Sequence, residues 1–173
     1  MEREATKSVK FDDQTERLFQ AALSKYPTRE AALLPTLWLA RDQFGCLPNE
    51  VMEYIAARLE LAPVRVFSVV EFYTMYNREP LGRYHFQLCQ NVTCTLRGSE
   101  QLLEVLTAKL GIGPGEISGD RTFSLEMVEC LGSCGTAPVV RINDTYYENL
   151  SLGRLEAIID ACRAGRDAAA LEG

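Results

Sequence analysis

The spacing of apolar residues changes near residue 80, and this change predicts a chain built in two sections. From Phe11 to Tyr76, apolar residues recur three and four positions apart, which is the period of an amphipathic helix. From Tyr84 onward they alternate with polar residues, which is the period of a strand with one buried face. The sequence therefore predicts a helical bundle over residues 1–80 and a different, mixed section over residues 81–173.

Four helices are predicted in the first section, and each has a recognisable start or end signal. Aspartate is a good N-cap, and proline is favoured in the first turn of a helix but not in its interior. The expected bounds are, in chain order, Asp12 or Asp13 to Pro27, Thr28 to Gly45 with Pro35 as a candidate kink, a start at Pro48, and a start at Pro63. The short connections between these helices indicate a compact bundle.

The second section predicts elements in the order strand, helix, three strands, helix. The expected bounds are Tyr84–Cys89, about Arg97 to Leu110, Phe123–Cys130, Pro138–Ile142, Thr145–Glu148, and about Ser151 to Arg163. This order suits a small sheet with helices packed against it. The predicted fold class is therefore α/β.

Four of the six cysteines form two pairs, and each pair follows the end of a predicted strand. Cys89 and Cys94 are separated by four residues, Cys130 and Cys134 by three, and the two pairs by thirty-five. If the two strands are neighbours in the sheet, both loops emerge at one edge and four thiolates can converge on one centre. Each pair could then hold one iron of a [2Fe-2S] cluster.

Three other interpretations of these cysteines stay open on spacing alone. Structural zinc sites more often use Cys-x2-Cys knuckles, which are shorter than either spacing here. A dithiol oxidoreductase acting through Cys130 and Cys134 is less favoured, because neither pair is the Cys-x-x-Cys motif that lowers a thiol pKa. The last alternative is four unrelated buried cysteines, since free cysteine is among the most buried residue types.

Charge and composition disfavour several partners and activities. Eighteen Lys and Arg against 24 Asp and Glu give a net charge of −6, which repels nucleic acid and anionic membrane surfaces. The longest nearly apolar run, Ala31 to Ala40, falls well short of the roughly 20 residues of a membrane span. A single His makes hydrolase chemistry unfavourable. The charged N-terminus lacks the apolar core of a secretory signal, so we expect a cytosolic chain with reduced thiols.

Three stretches of the sequence carry a resemblance to a known family. They are Glu71–Asn77, then Tyr84–Cys89 with Cys94, and then Val128–Cys134 followed by Ala137-Pro138 and Asn143–Glu148. Together they resemble the thioredoxin-like [2Fe-2S] subunit of respiratory complex I, which is the 24 kDa or E subunit of NADH:quinone oxidoreductase. The similarity covers roughly Phe11 to Arg163 and includes the helical section.

The resemblance implies a fold, a cofactor and a partner. The fold is a thioredoxin-like [2Fe-2S] domain preceded by an N-terminal helical bundle, and the cluster ligands are Cys89, Cys94, Cys130 and Cys134. The one [2Fe-2S] cluster exchanges single electrons with the flavin of a partner subunit. That partner binds FMN and NADH, which this chain does not, and it joins the chain to the rest of the peripheral arm.

The same resemblance implies an electron-transfer subunit of an NADH dehydrogenase, with no catalytic residues and no substrate turnover of its own. Its expected place is the cytoplasm, at the inner face of the cell membrane as part of a complex and without entering the membrane. Equivalent subunits serve NAD-linked hydrogenases and formate dehydrogenases, which are the alternative assignment. A zinc-stabilised binding module without redox activity is the alternative of another class.

Some residues near the cysteines have expectations of their own. Gly132 and Gly135 are expected to let the backbone approach a cluster and expose N–H donors. Arg97 adds positive charge nearby or is a solvated residue at a helix start. Pro138 is a candidate cis-proline beside the site. The run Gly111–Gly115 follows a helix instead of a strand, so we predict a helix cap and turn there and no nucleotide loop.

Other residues are predicted to lie outside the site. Cys162 falls on the apolar stripe of the last helix, and Cys46 is likewise expected to be a small buried residue. His85 is expected to be a hydrogen-bonded strand residue. Tyr73 and Tyr76 are expected to be exposed and to contribute to a surface that docks the flavin-binding partner.

Overall fold

The computed structural model describes residues 9–166, and the chain separates into two compact units between Pro80 and Leu81. Each unit buries an apolar core of its own. Among residues 9–166, none of the helices combines the length and the apolar character that crossing a membrane requires.

The first unit is helical, as the periodicity predicts. Its α-helices are α1 (Asp13–Lys25), α2 (Leu33–Phe44), α3 (Asn49–Leu59) and α4 (Pro63–Phe72). Asp12 caps α1, because its side chain accepts a 2.7 Å hydrogen bond from the backbone N–H of Thr15. Gly45 ends α2 with a φ of +80°, a left-handed conformation that favours glycine.

The predicted start of the second helix is wrong. Residues Glu30–Ala32 form a 3-10 helix, and α2 begins only at Leu33. Pro35 is therefore the third residue of α2, where the backbone N–H of a helix has no intrahelical acceptor. A proline at this position opens the helix instead of kinking its interior.

Aromatic and aliphatic side chains from all four helices fill the core of the first unit. The largest fully buried side chains of this unit are Phe19, Leu37, Leu47, Met52, Ile55 and Leu59. Burying one such side chain contributes about 1.5–3 kcal/mol. At the edge of this core, Arg58 on α3 donates to the carboxylate of Glu16 on α1 at 2.6 and 2.7 Å.

Tyr76 belongs to this core, so its expected exposure is wrong. It is 4% exposed, and its hydroxyl donates to the carbonyl of Leu34 at 3.0 Å. Burial raises the pKa of Tyr76 to about 12. Tyr73 is half-buried and packs edge-on against Tyr76. The pair is therefore largely a packing element of the bundle.

The second unit contains a four-stranded sheet in the order β2-β1-β3-β4. The strands are β1 (Tyr84–Cys89), β2 (Phe123–Val128), β3 (Val140–Ile142) and β4 (Thr145–Tyr147). β1 pairs in parallel with β2, with Cys89 opposite Val128, and antiparallel with β3. Because β1 and β2 are parallel neighbours, the chain leaves both strands at the same edge of the sheet.

Helices cover one face of this sheet. They are α6 (Ser99–Leu110) and α7 (Leu152–Arg163), whose apolar side chains pack with Tyr84, Phe86 and Leu88 of β1 in one core. Gly111 ends α6 with a φ of +71°, and its N–H donates to the carbonyl of Thr107, which confirms the predicted helix cap.

The helix predicted from about Arg97 begins two residues later, at Ser99. The chain forms a separate short helix, α5 (Val92–Leu96), and Gly98, with a φ of +101°, interrupts the path to α6. The strand expected to reach Cys130 also ends earlier, at Val128. Both differences change the local structure around a cysteine without moving either cysteine pair away from the sheet edge.

Gly82 lies just before β1 and touches the backbone of β2. A Cβ atom placed on Gly82 would lie 2.3 Å from the carbonyl carbon of Phe123 and 2.6 Å from the amide nitrogen of Ser124. The Gly82 N–H also donates to the hydroxyl of Ser124 at 3.1 Å. The chain just before β1 can therefore approach the backbone of β2 this closely only because residue 82 has no side chain.

Candidate metal centre

The two cysteine pairs lie in the loops that follow β1 and β2. Cys89 is the last residue of β1, and Cys94 is the third residue of α5. Cys130 follows the end of β2 by two residues, and Cys134 begins a 3-10 helix that extends to Thr136. The parallel pairing of β1 and β2 therefore brings both pairs to one edge of the sheet.

The two pairs differ in exposure. Cys89 and Cys94 are each 2% exposed and pack with Ala137 and Val139, whereas Cys130 and Cys134 are exposed. One pair therefore lies in the protein interior and the other faces outward.

The pKa of the Cys94 thiol depends on cysteines of both loops. Burial is the largest effect that raises the pKa of Cys94 to about 11, and a hydrogen bond with the Cys89 thiol comes next. The Cys134 thiol also interacts electrostatically with Cys94 and raises its pKa. The backbone N–H of Val139 acts in the opposite direction, because its hydrogen bond stabilises the thiolate form of Cys94. The thiol of Cys89 also lies 3.9 Å from the carbonyl oxygen of Glu129, next to Cys130.

The donor set fits an iron–sulfur cluster in its chemistry. Thiolates are the protein ligands of such clusters, and backbone N–H groups directed at sulfur stabilise their negative charge. One such donor is present, since the N–H of Gly132 donates to Cys130 Sγ at 3.4 Å. Gly132 has a left-handed φ of +80°, a conformation that favours glycine. Across residues 9–166, no three Cys, His, Asp or Glu side chains are grouped as a ready-made metal-ion site.

The loop carrying the second pair is bonded to its surroundings on both sides. Arg97 Nε lies 3.5 Å from the carbonyl oxygen of Ala137, so Arg97 is a linking residue between the two loops. The Ala137-Pro138 peptide bond is cis, as the sequence suggests it could be. On the other side, the N–H of Asn149 donates to the carbonyl of Thr136 at 2.7 Å.

The remaining two cysteines lie elsewhere. Cys162 is 1% exposed in the core beside α7, and burial raises its pKa to about 11. Cys46 is 8% exposed and lies in the first unit. The prediction that both are buried residues is confirmed.

His85 is hydrogen-bonded on the sheet, as predicted. Its Nδ1 lies 2.8 Å from the hydroxyl of Ser124 and its Nε2 lies 3.1 Å from Glu126 Oε2. Gln87 donates to the same carboxylate oxygen at 2.9 Å. The hydrogen bond with His85, followed by that from Gln87 and opposed by burial, lowers the pKa of Glu126 below its ordinary value of 4.5.

We expect the Glu126→Gln variant to be less stable than the wild type near neutral pH, by less than about 1 kcal/mol because the carboxylate is partly exposed. The folded pKa of Glu126 is lowered, so its stabilisation is fully present above the ordinary value of 4.5 and is lost as pH falls through the lowered value. Urea unfolding at several pH values should therefore show a difference that shrinks on acidification. A difference that grows toward low pH would contradict this assignment, and Glu104→Gln on α6 is the control.

Sequence reasoning missed a side chain that acts on the second cysteine loop from outside. Polar interactions with the side chains of Thr136 and Ser133 lower the pKa of the Glu148 carboxyl. Glu148 appears in the sequence only as part of a stretch that resembles the family. Its distance along the chain from Ser133 matches no motif spacing, and pairing of β3 with β4 brings the two together.

The fold and the cysteines define a small α/β protein with two cysteine pairs in the loops at one edge of its sheet. The family profile described as thioredoxin-like [2Fe-2S] ferredoxin matches residues 19–163. The chain belongs to this family, which confirms the predicted resemblance and the predicted thioredoxin-like fold class.

Named relatives agree with this membership. The chain is 43% identical over 153 residues to an E subunit of the NADH-quinone oxidoreductase of Rhizobium meliloti, covering 88% of this chain and 91% of the relative. It is 44% identical over 156 residues to the E subunit of the NADH-quinone oxidoreductase of Rickettsia bellii, covering 88% and 93%. A solved NAD+-reducing [NiFe]-hydrogenase is 25% identical with a TM-score of 0.68, covering 77% of this chain but only 23% of the hydrogenase chain.

Proposed function

We propose that this chain is an electron-transfer subunit that binds one [2Fe-2S] cluster and serves an NADH:quinone oxidoreductase. The observation that carries the proposal is the parallel pairing of β1 with β2, which brings two cysteine pairs to one sheet edge. Membership in a [2Fe-2S] ferredoxin family supports the identity of the cofactor. The named relatives, which this chain matches over about nine-tenths of their length, support the identity of the complex.

Each cysteine pair would hold one iron. Cys89 and Cys94 would bind one iron from the buried side, where Ala137 and Val139 exclude water. Cys130 and Cys134 would bind the other iron from the exposed side. The N–H group of Gly132 would offset negative charge on the sulfur of Cys130. When bound, the cluster supplies a centre that accepts and releases one electron at a time.

The electron donor that we propose is the flavin of a partner subunit, which also binds NADH. The chain carries no dinucleotide fingerprint, so NADH oxidation would occur on the partner. We expect NADH to leave the cluster of the isolated chain oxidised and to reduce it once the flavin-binding subunit is added. Reduction of the isolated chain by NADH would contradict this division of roles.

The hydrogenase match favours a second candidate, the equivalent subunit of an NAD-linked hydrogenase or formate dehydrogenase. Because this chain covers only 23% of the matched hydrogenase chain, the similarity extends to one part of that protein. Gene neighbourhood separates the candidates. Neighbouring genes for a quinone-reducing membrane arm would support the first, and neighbouring hydrogenase or formate dehydrogenase genes the second.

The cofactor is tested by anaerobic purification followed by assays of iron, sulfide and zinc, with low-temperature EPR before and after dithionite. We expect roughly two irons and two sulfides per chain and a rhombic signal only after reduction. One zinc per chain, no colour and failed reconstitution with iron and sulfide would instead establish the zinc-stabilised module. Reversible thiol oxidation without any metal would establish a dithiol protein.

A further inference from the structure

Arg97 caps the C-terminal end of the short helix α5, three residues after Cys94. Its backbone N–H donates to the carbonyls of Thr93 and Cys94, each at 3.1 Å. The bond to Cys94 closes a 3-10 turn, in which side chains three residues apart lie almost directly above one another. The side chain of Arg97 therefore starts on the same side of the chain as the Cys94 thiol.

The side chain of Arg97 also reaches the second cysteine loop. Its Nε donates to the carbonyl of Ala137 at 3.5 Å, and Ala137 follows Cys134 by three residues. Ala137 packs with Cys89 and Cys94 in one buried group of side chains. Because packed side chains approach within about 4.5 Å, the guanidinium group lies roughly 10 Å from the thiols of that group. A positive charge is thus held between the two cysteine loops.

The charge of Arg97 is not neutralised by a salt bridge anywhere in residues 9–166. An arginine also keeps its proton throughout the pH range in which proteins are folded. Arg97 is an exposed residue, so salt in the solvent screens its charge. Any effect of this charge on a nearby anion must therefore weaken as the ionic strength rises.

We propose that Arg97 makes the proposed cluster easier to reduce, because it holds a positive charge between the two loops that carry the ligands. Thiolates and sulfides give the oxidised cluster a net negative charge, and reduction adds one more. A cation within about 10 Å stabilises the reduced state more than the oxidised state. The proposal rests on the proposed function, since it assumes that the cluster binds between these loops.

The test uses the full-length holoprotein and compares Arg97→Gln, Arg97→Lys and a control, Arg83→Gln. Arg83 is an exposed residue just before β1, about 20 Å along the strand from Cys89. Redox titration monitored by EPR gives the midpoint potential of each variant. Arg97→Gln should lower the equilibrium constant for reduction about threefold at low ionic strength, which is about 30 mV for a one-electron couple. Arg97→Lys keeps the charge and should stay close to the wild type, and Arg83→Gln should shift the potential less.

Salt dependence separates an effect of charge from a change of structure. The shift in Arg97→Gln should shrink as the salt concentration is raised to about 1 M, where the screening length is about 3 Å. An unshifted potential in Arg97→Gln would overturn the proposal, as would a shift of the same size in about 1 M salt. Circular dichroism checks that each variant is folded.

If the wild type holds no cluster, the proposed function fails separately, and alkylation of Cys134 in the metal-free chain still tests the placement of the charge. Positive charge attracts iodoacetate but not neutral iodoacetamide. The ratio of their reaction rates at Cys134, measured by mass spectrometry, should therefore fall about threefold in Arg97→Gln. An unchanged ratio would overturn the placement of this charge between the loops.

Discussion

Replacing any one of Cys89, Cys94, Cys130 and Cys134 by Ala is expected to abolish the cluster or to destabilise it severely. Each iron of a [2Fe-2S] cluster takes two protein sulfurs, so one substitution leaves an iron with an open coordination position. The measurements are the iron and sulfide content and the visible absorption of each purified variant. All four variants should lose most of the iron that the wild type carries.

The two other cysteines provide matched controls for this experiment. Cys46→Ala and Cys162→Ala remove a thiol from positions outside the candidate centre, and both should keep the absorption spectrum of the wild type. Cys162→Ala should lower the stability of the fold, because the side chain is 1% exposed in the core. Loss of colour in Cys162→Ala together with its retention in Cys94→Ala would show that the ligand set is wrong.

The second large effect is expected from Gly82→Ala. Its new Cβ would lie 2.3 Å from the carbonyl carbon of Phe123, and backbone atoms held by the pairing of β1 with β2 cannot move aside cheaply. We expect destabilisation by about 3 kcal/mol or more, the range of severe overpacking. Urea unfolding of the full chain measures this change.

Gly153→Ala is the control for the same chemical change. Gly153 lies in α7, and a Cβ placed there meets no atom within 4 Å. Alanine is favoured over glycine in a helix, so this variant should be more stable than the wild type by up to about 1 kcal/mol. Equal stability of the two variants would show that the close approach at Gly82 does not constrain the fold.

Local patterns in the sequence predict most of the elements but not their ends. The alternation at Tyr84, Phe86 and Leu88 is enough to place β1, because one face of that strand is buried. The short helix α5 escapes prediction, since five residues are too few to show a helical period. Tyr76 is misjudged for a related reason, because it follows α4 and its burial depends on a contact with α2.

The candidate metal centre, like the fold, is predicted only in part from the sequence. Strand ends and cysteine spacing identify the two pairs, but spacing does not determine which strands are neighbours. The pairing of β1 with β2 supplies that information, and it depends on contacts between residues about 40 positions apart, such as Cys89 and Val128. The electrostatic effect of Ser133 and Thr136 on Glu148 lies beyond sequence reasoning in the same way, since it requires β4 to lie beside β3.

The unequal burial of the two cysteine pairs would give the proposed cluster a protected side and a vulnerable one. Oxygen and peroxide would reach the iron held by Cys130 and Cys134 first, because those sulfurs are exposed, so oxidative damage to the free protein would begin there. The same side would offer electrons from the proposed cluster their shortest path out of the protein. A partner that covers it would therefore protect the cluster and complete the electron path through a single contact, and an unassembled chain would have neither advantage.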